Sequence, residues 1–240
     1  MKIMERIREK AADNMSCSGV TIAFLGDSVT QGCFELYKKD DNIETVFDRE
    51  NAYHTYLNRI FSMLYPTVPV NIINAGISGD SAPHGLIRLE KDVLRHHPDL
   101  VVVCFGLNDA NAGLENLEKY ETSLKNIFVG LQDAGIEIIF MTPNMMNAQI
   151  SVHIHDKVIL QIAERTCKIQ NSGVMDTYMD AARTLCSKMD IPVCDCYARW
   201  RTLYENGVDI TELLANKINH PTRQMNWLFA ISLLETIMQK

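Results

Sequence analysis

The sequence contains no run of about eighteen consecutive apolar residues, the length that suggests a membrane-spanning helix. Residues 1–10 alternate charged and apolar side chains and lack the apolar stretch of a secretory signal. We therefore expect a protein without a membrane span and with a cytoplasmic location.

An excess of positive charge is also missing. The 23 lysine and arginine residues are outnumbered by 30 aspartate and glutamate residues, which gives a formal net charge of −7. A general polyanion binder needs a basic face that neutralises phosphates. Nucleic acid is therefore not an expected partner.

The cysteines show neither a disulfide framework nor zinc-site spacing. There are seven of them, an odd number, and without an export signal they indicate reduced thiols in the cytoplasm. The closest pair, Cys194 and Cys196, has no second pair nearby. His153 and His155 place two imidazoles on one side of an extended segment, but no third ligand accompanies them, and a loop is favoured. We predict buried, inert cysteines and no metal site.

No linker or repeat divides the chain. Hydrophobic residues make up 47% and charged residues 22% of the 240 residues, values that are close to the globular average. Folding a chain of this length hides roughly 70% of its surface, which is enough for one substantial core. We expect a single domain over residues 1–240.

Short runs rich in β-branched residues alternate with longer stretches of helical periodicity. This alternation is typical of a parallel sheet with helices on both faces. Residues 100–105 show no polar alternation, as expected of a strand that is buried on both faces. We predict an α/β protein, a three-layer α/β/α sandwich with a five-stranded parallel sheet, whose strands are residues 20–25, 70–74, 100–105, 136–141 and 191–194.

The helices are predicted from apolar residues that recur every three or four positions. This spacing indicates helices over residues 53–64, 86–95, 114–131, 156–170, 175–188 and 227–238. The polar, acidic stretch 35–51 lies between the first strand and the next helix. Such excursions often contact substrate in α/β folds, and we expect a substrate-contacting loop here.

The first predicted strand runs into the segment Gly-Asp-Ser-Val-Thr-Gln-Gly, residues 26–32, which places Ser28 just past the end of a strand. Open α/β sheets bind their ligands at that edge. Thr30 replaces the second glycine of a G-x-S-x-G nucleophile elbow, and no lysine follows Gly32 to complete a phosphate-binding loop. Taken alone, the motif indicates an ordinary loop serine.

Three further segments change that interpretation, because they follow in order at corresponding strand ends. They are Asn-Ala-Gly-Ile-Ser-Gly-Asp-Ser (74–81), Gly-Leu-Asn-Asp (106–109) and His-Pro (220–221). With these blocks the sequence resembles the GDSL, or SGNH, hydrolase superfamily, whose four signature residues correspond here to Ser28, Gly79, Asn108 and His220. The resemblance spans nearly the whole chain and implies the flavodoxin-like SGNH fold, a serine esterase activity and no metal or organic cofactor.

The resemblance implies a separate role for each of these residues. Ser28 attacks an acyl carbonyl, and His220 takes the hydroxyl proton and returns it to the leaving alcohol. The backbone N–H groups of Ser28 and Gly79 and the amide of Asn108 form the oxyanion hole. Pro221 suits the first position of the last helix, which places His220 at a helix N-terminus, where the dipole favours the neutral imidazole.

The sequence departs from the family beside that histidine. The usual acid three residues before it is replaced by Lys217, which cannot accept the imidazole N–H. Three explanations remain open: a backbone carbonyl orients His220 in a Ser–His dyad, an acid comes from elsewhere, or the activity is weak. Asp195 follows a predicted strand, whereas Asp209 and Glu212 resemble a helix cap. We favour the dyad.

The expected substrate is a small-molecule acyl ester, an acetylated sugar in the first place, because the excursion 35–51 is polar and offers no lipid-like apolar run. Relatives in the superfamily also include lysophospholipases, thioesterases and arylesterases. A carbohydrate O-acyltransferase and a non-catalytic carbohydrate-binding protein with the same fold are alternatives. The sequence indicates neither the acyl length nor the oligomeric state.

Overall fold

The computed structural model describes residues 1–40 and 42–239. Its strands, in chain order, are β1 (Val20–Gly26), β2 (Cys33–Lys39), β3 (Asn42–Phe47), β4 (Val70–Gly76), β5 (Leu100–Cys104), β6 (Glu137–Thr142) and β7 (Val193–Asp195). Five of them form a parallel sheet in the order β4-β1-β5-β6-β7, and β2 pairs antiparallel with β3. The predicted α/β class with its five-stranded parallel sheet is confirmed.

The helices fill the connections between the strands. They are α1 (Lys2–Ala12), α2 (Ser28–Gln31), α3 (Tyr53–Leu64), α4 (Ala82–Asp92), α5 (Leu107–Ala110), α6 (Leu117–Asp133), α7 (Lys157–Asn171), α8 (Val174–Lys188), α9 (Cys196–Glu205) and α10 (Arg223–Met238). Every residue of β5 is fully buried, and successive side chains of a strand point to opposite faces, so both faces of the sheet are covered. Within the described ranges, every helix is too short or too polar to cross a bilayer.

Most predicted elements lie within a few residues of the observed ones. The last strand is shifted and begins at Val193 instead of residue 191. Pro192 has no N–H to give to a ladder, and only its carbonyl takes part, accepting the Phe140 N–H at 3.0 Å. Helix α4 begins at Ala82, four residues earlier than predicted, because proline is compatible with the first turn of a helix.

The excursion predicted as a loop is a β-hairpin. Strands β2 and β3 pair in register at both ends, but Phe34 and Glu35 together lie opposite the single residue Val46. One extra residue in one strand defines a β-bulge, which breaks the ladder locally and changes the direction of the backbone groups. We call strands β2 and β3 together the hairpin. Its bulge lies beside the site described next.

Candidate active site

Ser28 lies where β1 ends and α2 begins. Asp27 caps this short helix by accepting the Val29 N–H at 3.0 Å. A Cβ atom at Gly26 would lie 2.2 Å from Thr30 Oγ1 and 2.8 Å from the Cys104 carbonyl oxygen, so only glycine allows the turn. As the sequence predicted, Ser28 follows the carboxyl end of a central strand. It is 4% exposed.

His220 contacts Ser28 directly, although 192 residues separate them. Its Nε2 atom lies 3.0 Å from Ser28 Oγ, and its Nδ1 atom lies 2.8 Å from the Phe34 carbonyl oxygen. A carbonyl oxygen can only accept, so Nδ1 carries the proton and donates it. This leaves Nε2 of the neutral ring as the acceptor for the Ser28 hydroxyl, as a general base requires.

The neutral state of His220 has a different origin from the one expected. Helix α10 begins at Arg223 with Thr222 as its N-cap, so the prediction that Pro221 occupies the first helical position is wrong. His220 therefore lies two residues before the cap. Burial of the ring lowers its pKa from 6.5 to about 4, against the raising effects of the Phe34 carbonyl and the Glu35 charge.

The Lys217 ammonium pairs with an acid outside the catalytic pair. Its Nζ atom lies 2.8 Å from a carboxylate oxygen of Glu212. Its backbone has φ +60°, in the left-handed region that glycine, asparagine and aspartate tolerate best. Of the three explanations for the missing acid, the structure shows the first, a backbone carbonyl on the imidazole N–H.

The other candidate acids have structural partners. Asp195 caps α9 and accepts hydrogen bonds from Arg183 and Thr142. Burial raises the pKa of Asp195, but the hydrogen bonds from Arg183 and Ala198 outweigh burial and lower it overall. Asp209 accepts the Thr211 N–H in a turn, so the predicted helix cap there is a turn cap instead.

The segment that carries Gly79 and the short helix that carries Asn108 are joined by a hydrogen bond. Asn108 is in α5, and its Nδ2 atom donates to the Asp80 carbonyl at 2.7 Å. A side-chain amide has two N–H groups, and this contact uses one of them. Gly79 has φ +78° and is exposed, with no atom within 4 Å of an added Cβ. The structure thus places all four signature residues on the turns that follow strands or precede α10.

Sequence reasoning missed two groups that shape these loops. Arg88 donates to Asp80 and to the carbonyls of Ala75 and Gly26, and so joins the ends of β1 and β4. The carboxyls of Asp27 and Asp109 are buried, and burial raises the pKa of each to about 7. Only a structure reveals these groups, because their roles depend on burial and on backbone partners.

Five of the seven cysteines are buried as predicted, and His153 and His155 lie in a loop, which was the favoured interpretation. All seven cysteines are free, and all but Cys17 and Cys167 are buried. Burial raises the pKa of Cys33 and Cys186 to about 12, which makes them inert. His153 and His155 line a cavity of about 180 Å³ beside the hairpin. Across residues 1–40 and 42–239, His, Cys, Asp and Glu form no group of three that could hold a metal ion.

A buried serine in hydrogen-bond contact with a neutral histidine, at the carboxyl edge of a parallel sheet, is the arrangement of a serine hydrolase. The model of the GDSL-like Lipase/Acylhydrolase family matches residues 24–228. The chain belongs to this family and is a carboxylic ester hydrolase.

Among curated proteins, the chain is similar to an acetylxylan esterase of Geobacillus stearothermophilus, with 26% identity over 175 residues that cover 67% of this chain and 77% of the relative. An arylesterase of Vibrio mimicus is 33% identical over 72 residues, which cover 30% of this chain and 36% of that protein.

Solved structures show the same fold. The acetylxylan esterase Axe2 of Geobacillus stearothermophilus matches with a TM-score of 0.69 and 20% identity over 93% of this chain and 96% of its own. The acetyl xylan esterase AlAXEase matches with a TM-score of 0.69 and 21% identity over 91% and 100%. Catalytic mutants of Axe2 replace a serine, an aspartate or a histidine, and its aspartate stands three residues before its histidine. Lys217 occupies the corresponding place before His220 in this chain.

Proposed function

We propose that this protein is a serine esterase that removes acetyl groups from a carbohydrate or another small alcohol through an acyl-enzyme. The observation that carries the proposal is the contact of Ser28 Oγ with His220 Nε2 at 3.0 Å, in a ring whose Nδ1–H is held by a carbonyl. A serine hydroxyl becomes a useful nucleophile only beside such a base.

The first half-reaction transfers the acyl group to the enzyme. The Ser28 hydroxyl gives its proton to His220 Nε2 while Oγ bonds to the substrate carbonyl carbon. The resulting oxyanion is met by the N–H groups of Ser28 and Gly79 and by the Asn108 amide. The C–O bond to the alcohol then breaks, and the imidazolium returns the proton to the leaving oxygen.

The second half-reaction releases the acid. A water molecule gives a proton to His220 Nε2 and attacks the acyl carbon, and Oγ of Ser28 leaves with that proton. The imidazolium is stabilised in both halves by the dipole of the Phe34 carbonyl instead of by a carboxylate. In a buried site such a preoriented dipole is effective because solvent does not screen it.

The substrate class is supported by the relatives. One relative, which aligns with 67% of this chain, is an acetylxylan esterase, and one solved structure of similar fold is an acetyl-xylooligosaccharide esterase, so acetylated xylooligosaccharides are the proposed substrates. The Vibrio relative favours small aryl esters as a second candidate. We further propose one domain over residues 1–240 and a cytoplasmic location, the latter supported by the seven free thiols.

Acetate release from acetylated xylooligosaccharides tests the proposal, with phenyl acetate and p-nitrophenyl esters of two to sixteen carbons as comparison substrates. We expect turnover that Ser28→Ala and His220→Ala abolish and that Asn108→Ala lowers by about 100- to 1,000-fold in kcat, the typical effect of one oxyanion donor. Asn116→Ala is the matched control, because Asn116 is exposed and its side chain makes no capping hydrogen bond to α6. A preference for long acyl chains would contradict the proposed acetyl specificity. Sugar binding without turnover of any ester would contradict the proposed esterase activity.

A further inference from the structure

We propose that Arg223 is a positioning residue, which holds the hairpin so that the Phe34 carbonyl orients His220 and thereby replaces the acid of the relatives. This inference rests on the proposed function. It concerns a residue outside the four signature blocks, and it explains how the site works with Lys217 at the usual position of the acid.

The bulge exposes the carbonyl that His220 needs. Because Phe34 and Glu35 share one residue opposite, Val46, the regular ladder is broken at this point. The Phe34 carbonyl points across to His220 Nδ1 at 2.8 Å. Cys33 and Phe34 are buried at the base of the hairpin, but β2 and β3 form a separate two-stranded sheet, and such sheets are only marginally stable alone. Further contacts are therefore needed to hold the bulge in place.

Arg223 contacts two residues of the bulge, Glu35 and Phe34, and also Asp48, which directly follows the hairpin. Its Nη1 and Nη2 atoms bind the two carboxylate oxygens of Glu35 at 2.6 and 3.1 Å, in the bidentate geometry that only arginine provides. Its Nε atom donates to Asp48 at 2.8 Å. Its guanidinium carbon lies 4.3 Å from the centre of the Phe34 ring. We call Arg223, Glu35 and Asp48 the arginine clamp.

The arginine clamp connects the segment that carries the Phe34 carbonyl with the segment that carries His220. Glu35 adjoins the orienting carbonyl, and Asp48 follows β3 and closes the hairpin by donating its N–H to the Gly32 carbonyl at 2.8 Å. Arg223 is the first residue of α10, three positions after His220. The same arginine therefore binds the residue next to the acceptor and is joined to His220 through the backbone of residues 220–223.

The charges in the clamp favour the intact network. Hydrogen bonds from Arg223 lower the pKa of Glu35 and of Asp48, so both carboxylates are ionised at neutral pH. A backbone carbonyl carries no net charge, so it attracts a displaced imidazolium less strongly than a carboxylate does. Correct placement of the acceptor thus matters more here than in a triad. Without it, Nδ1 loses its partner and the tautomer that leaves Nε2 free is no longer favoured.

The first experiment compares Arg223→Met with Arg199→Met as a control. Methionine keeps much of the aliphatic side chain of arginine and removes the guanidinium group. Arg199 also pairs with a carboxylate on α10, Glu235, but away from the hairpin. We expect Arg223→Met to lower kcat for acetyl esters about 100-fold, as misplacement by 1 Å does, with little change in KM. We expect a downfield NMR signal from the His220 Nδ1–H in the native protein, and this signal should broaden or disappear in Arg223→Met. Arg199→Met should change neither.

The second experiment restores the acid. Lys217→Asp in the Arg223→Met background should recover at least tenfold in kcat and return the Nδ1–H signal, because a carboxylate three residues before the histidine takes over the orientation. Lys217→Asn is the uncharged control, since asparagine tolerates the same left-handed backbone. It should recover nothing.

The outcomes separate the two proposals. If the native protein shows no turnover that depends on Ser28, the esterase itself is refuted. If the native protein turns over esters and Arg223→Met keeps both kcat and the Nδ1–H signal, only the positioning role is refuted. A loss in Arg223→Met that Lys217→Asp fails to restore also overturns it, because Arg223 then supports something other than the orientation of His220.

Discussion

His220 shows how one side chain obtains its catalytic state from its surroundings. Its base character does not come from a charged partner, since the ring donates to the neutral carbonyl of Phe34 and is desolvated by burial. The Glu35 charge offsets part of the burial effect on the pKa. The result is an imidazole that remains neutral far below the usual pKa of histidine.

The low pKa of His220 predicts an acid-tolerant enzyme. The neutral ring is the active form, so kcat/KM should stay level as the pH falls through 6.5 and should drop only near pH 4. The pH profile of acetyl ester hydrolysis measures this, with circular dichroism at each pH to confirm the fold. Lys217→Asp should move the acidic limb to higher pH, because a nearby carboxylate favours the imidazolium. An acidic limb near 6.5 in the native protein would contradict the role of burial.

At the scale of elements, the central strands were the easiest to predict. The run Leu100–Cys104 is apolar throughout because helices cover both faces of β5, and no other element gives that pattern at that length. Helix α3 was predicted to the residue, since its buried positions recur at helical spacing. The sequence also placed Ser28 and His220 at the correct edge of the sheet.

Local sequence patterns did not predict the hairpin. The register of its strands shifts at a bulge, and many of their residues are exposed and polar, as in a loop. Helix α9 was also missed, because its start is set by the Asp195 cap and its partners lie far along the chain. No sequence feature indicates the role of Phe34, since the group it contributes is a backbone carbonyl that every residue type has.

The N-cap of α10 is a prediction at this scale. Thr222 accepts the Met225 N–H through its hydroxyl at 3.3 Å. Thr222→Ala should lower the free energy of unfolding by about 1 kcal/mol, the usual value of a lost cap. Urea unfolding measures it, with Thr236→Ala as the control. Thr236 bonds a carbonyl of its own helix, far from the cap. Equal losses in the two variants would contradict the capping role.

Across the whole molecule, two pairs of buried groups respond to pH in opposite directions. Burial lowers the pKa of His54 and His220 to about 4, so their contribution to stability is present above 6.5 and is lost as the pH falls through 4. Burial raises the pKa of Asp27 and Asp109 to about 7, so their contribution is present below 3.8 and is lost as the pH rises through 7. The free energy of unfolding should therefore change little between pH 4 and 6.5.

Replacing one member of these pairs removes the compensation. Asp109→Asn keeps an oxygen for the Ala82 N–H, which Asp109 accepts at 3.0 Å, but it cannot titrate. Between pH 5 and pH 7 the native protein should lose about 2 kcal/mol of stability relative to this variant, at about 1.4 kcal/mol per shifted pKa unit. Urea unfolding at both pH values measures the difference. The same difference at both pH values would show that Asp109 is ionised in the folded protein.

The orienting acceptor of His220 belongs to the main chain, and this has a consequence for mutational robustness. A point mutation can delete the carboxylate of a catalytic acid, but no substitution at residue 34 can delete a carbonyl. The orientation of His220 is therefore lost through substitutions at the residues that shape the hairpin or the arginine clamp, and not through a substitution at one catalytic acid. Position 217 is thereby freed from a catalytic constraint, and its lysine forms an ion pair with Glu212 instead.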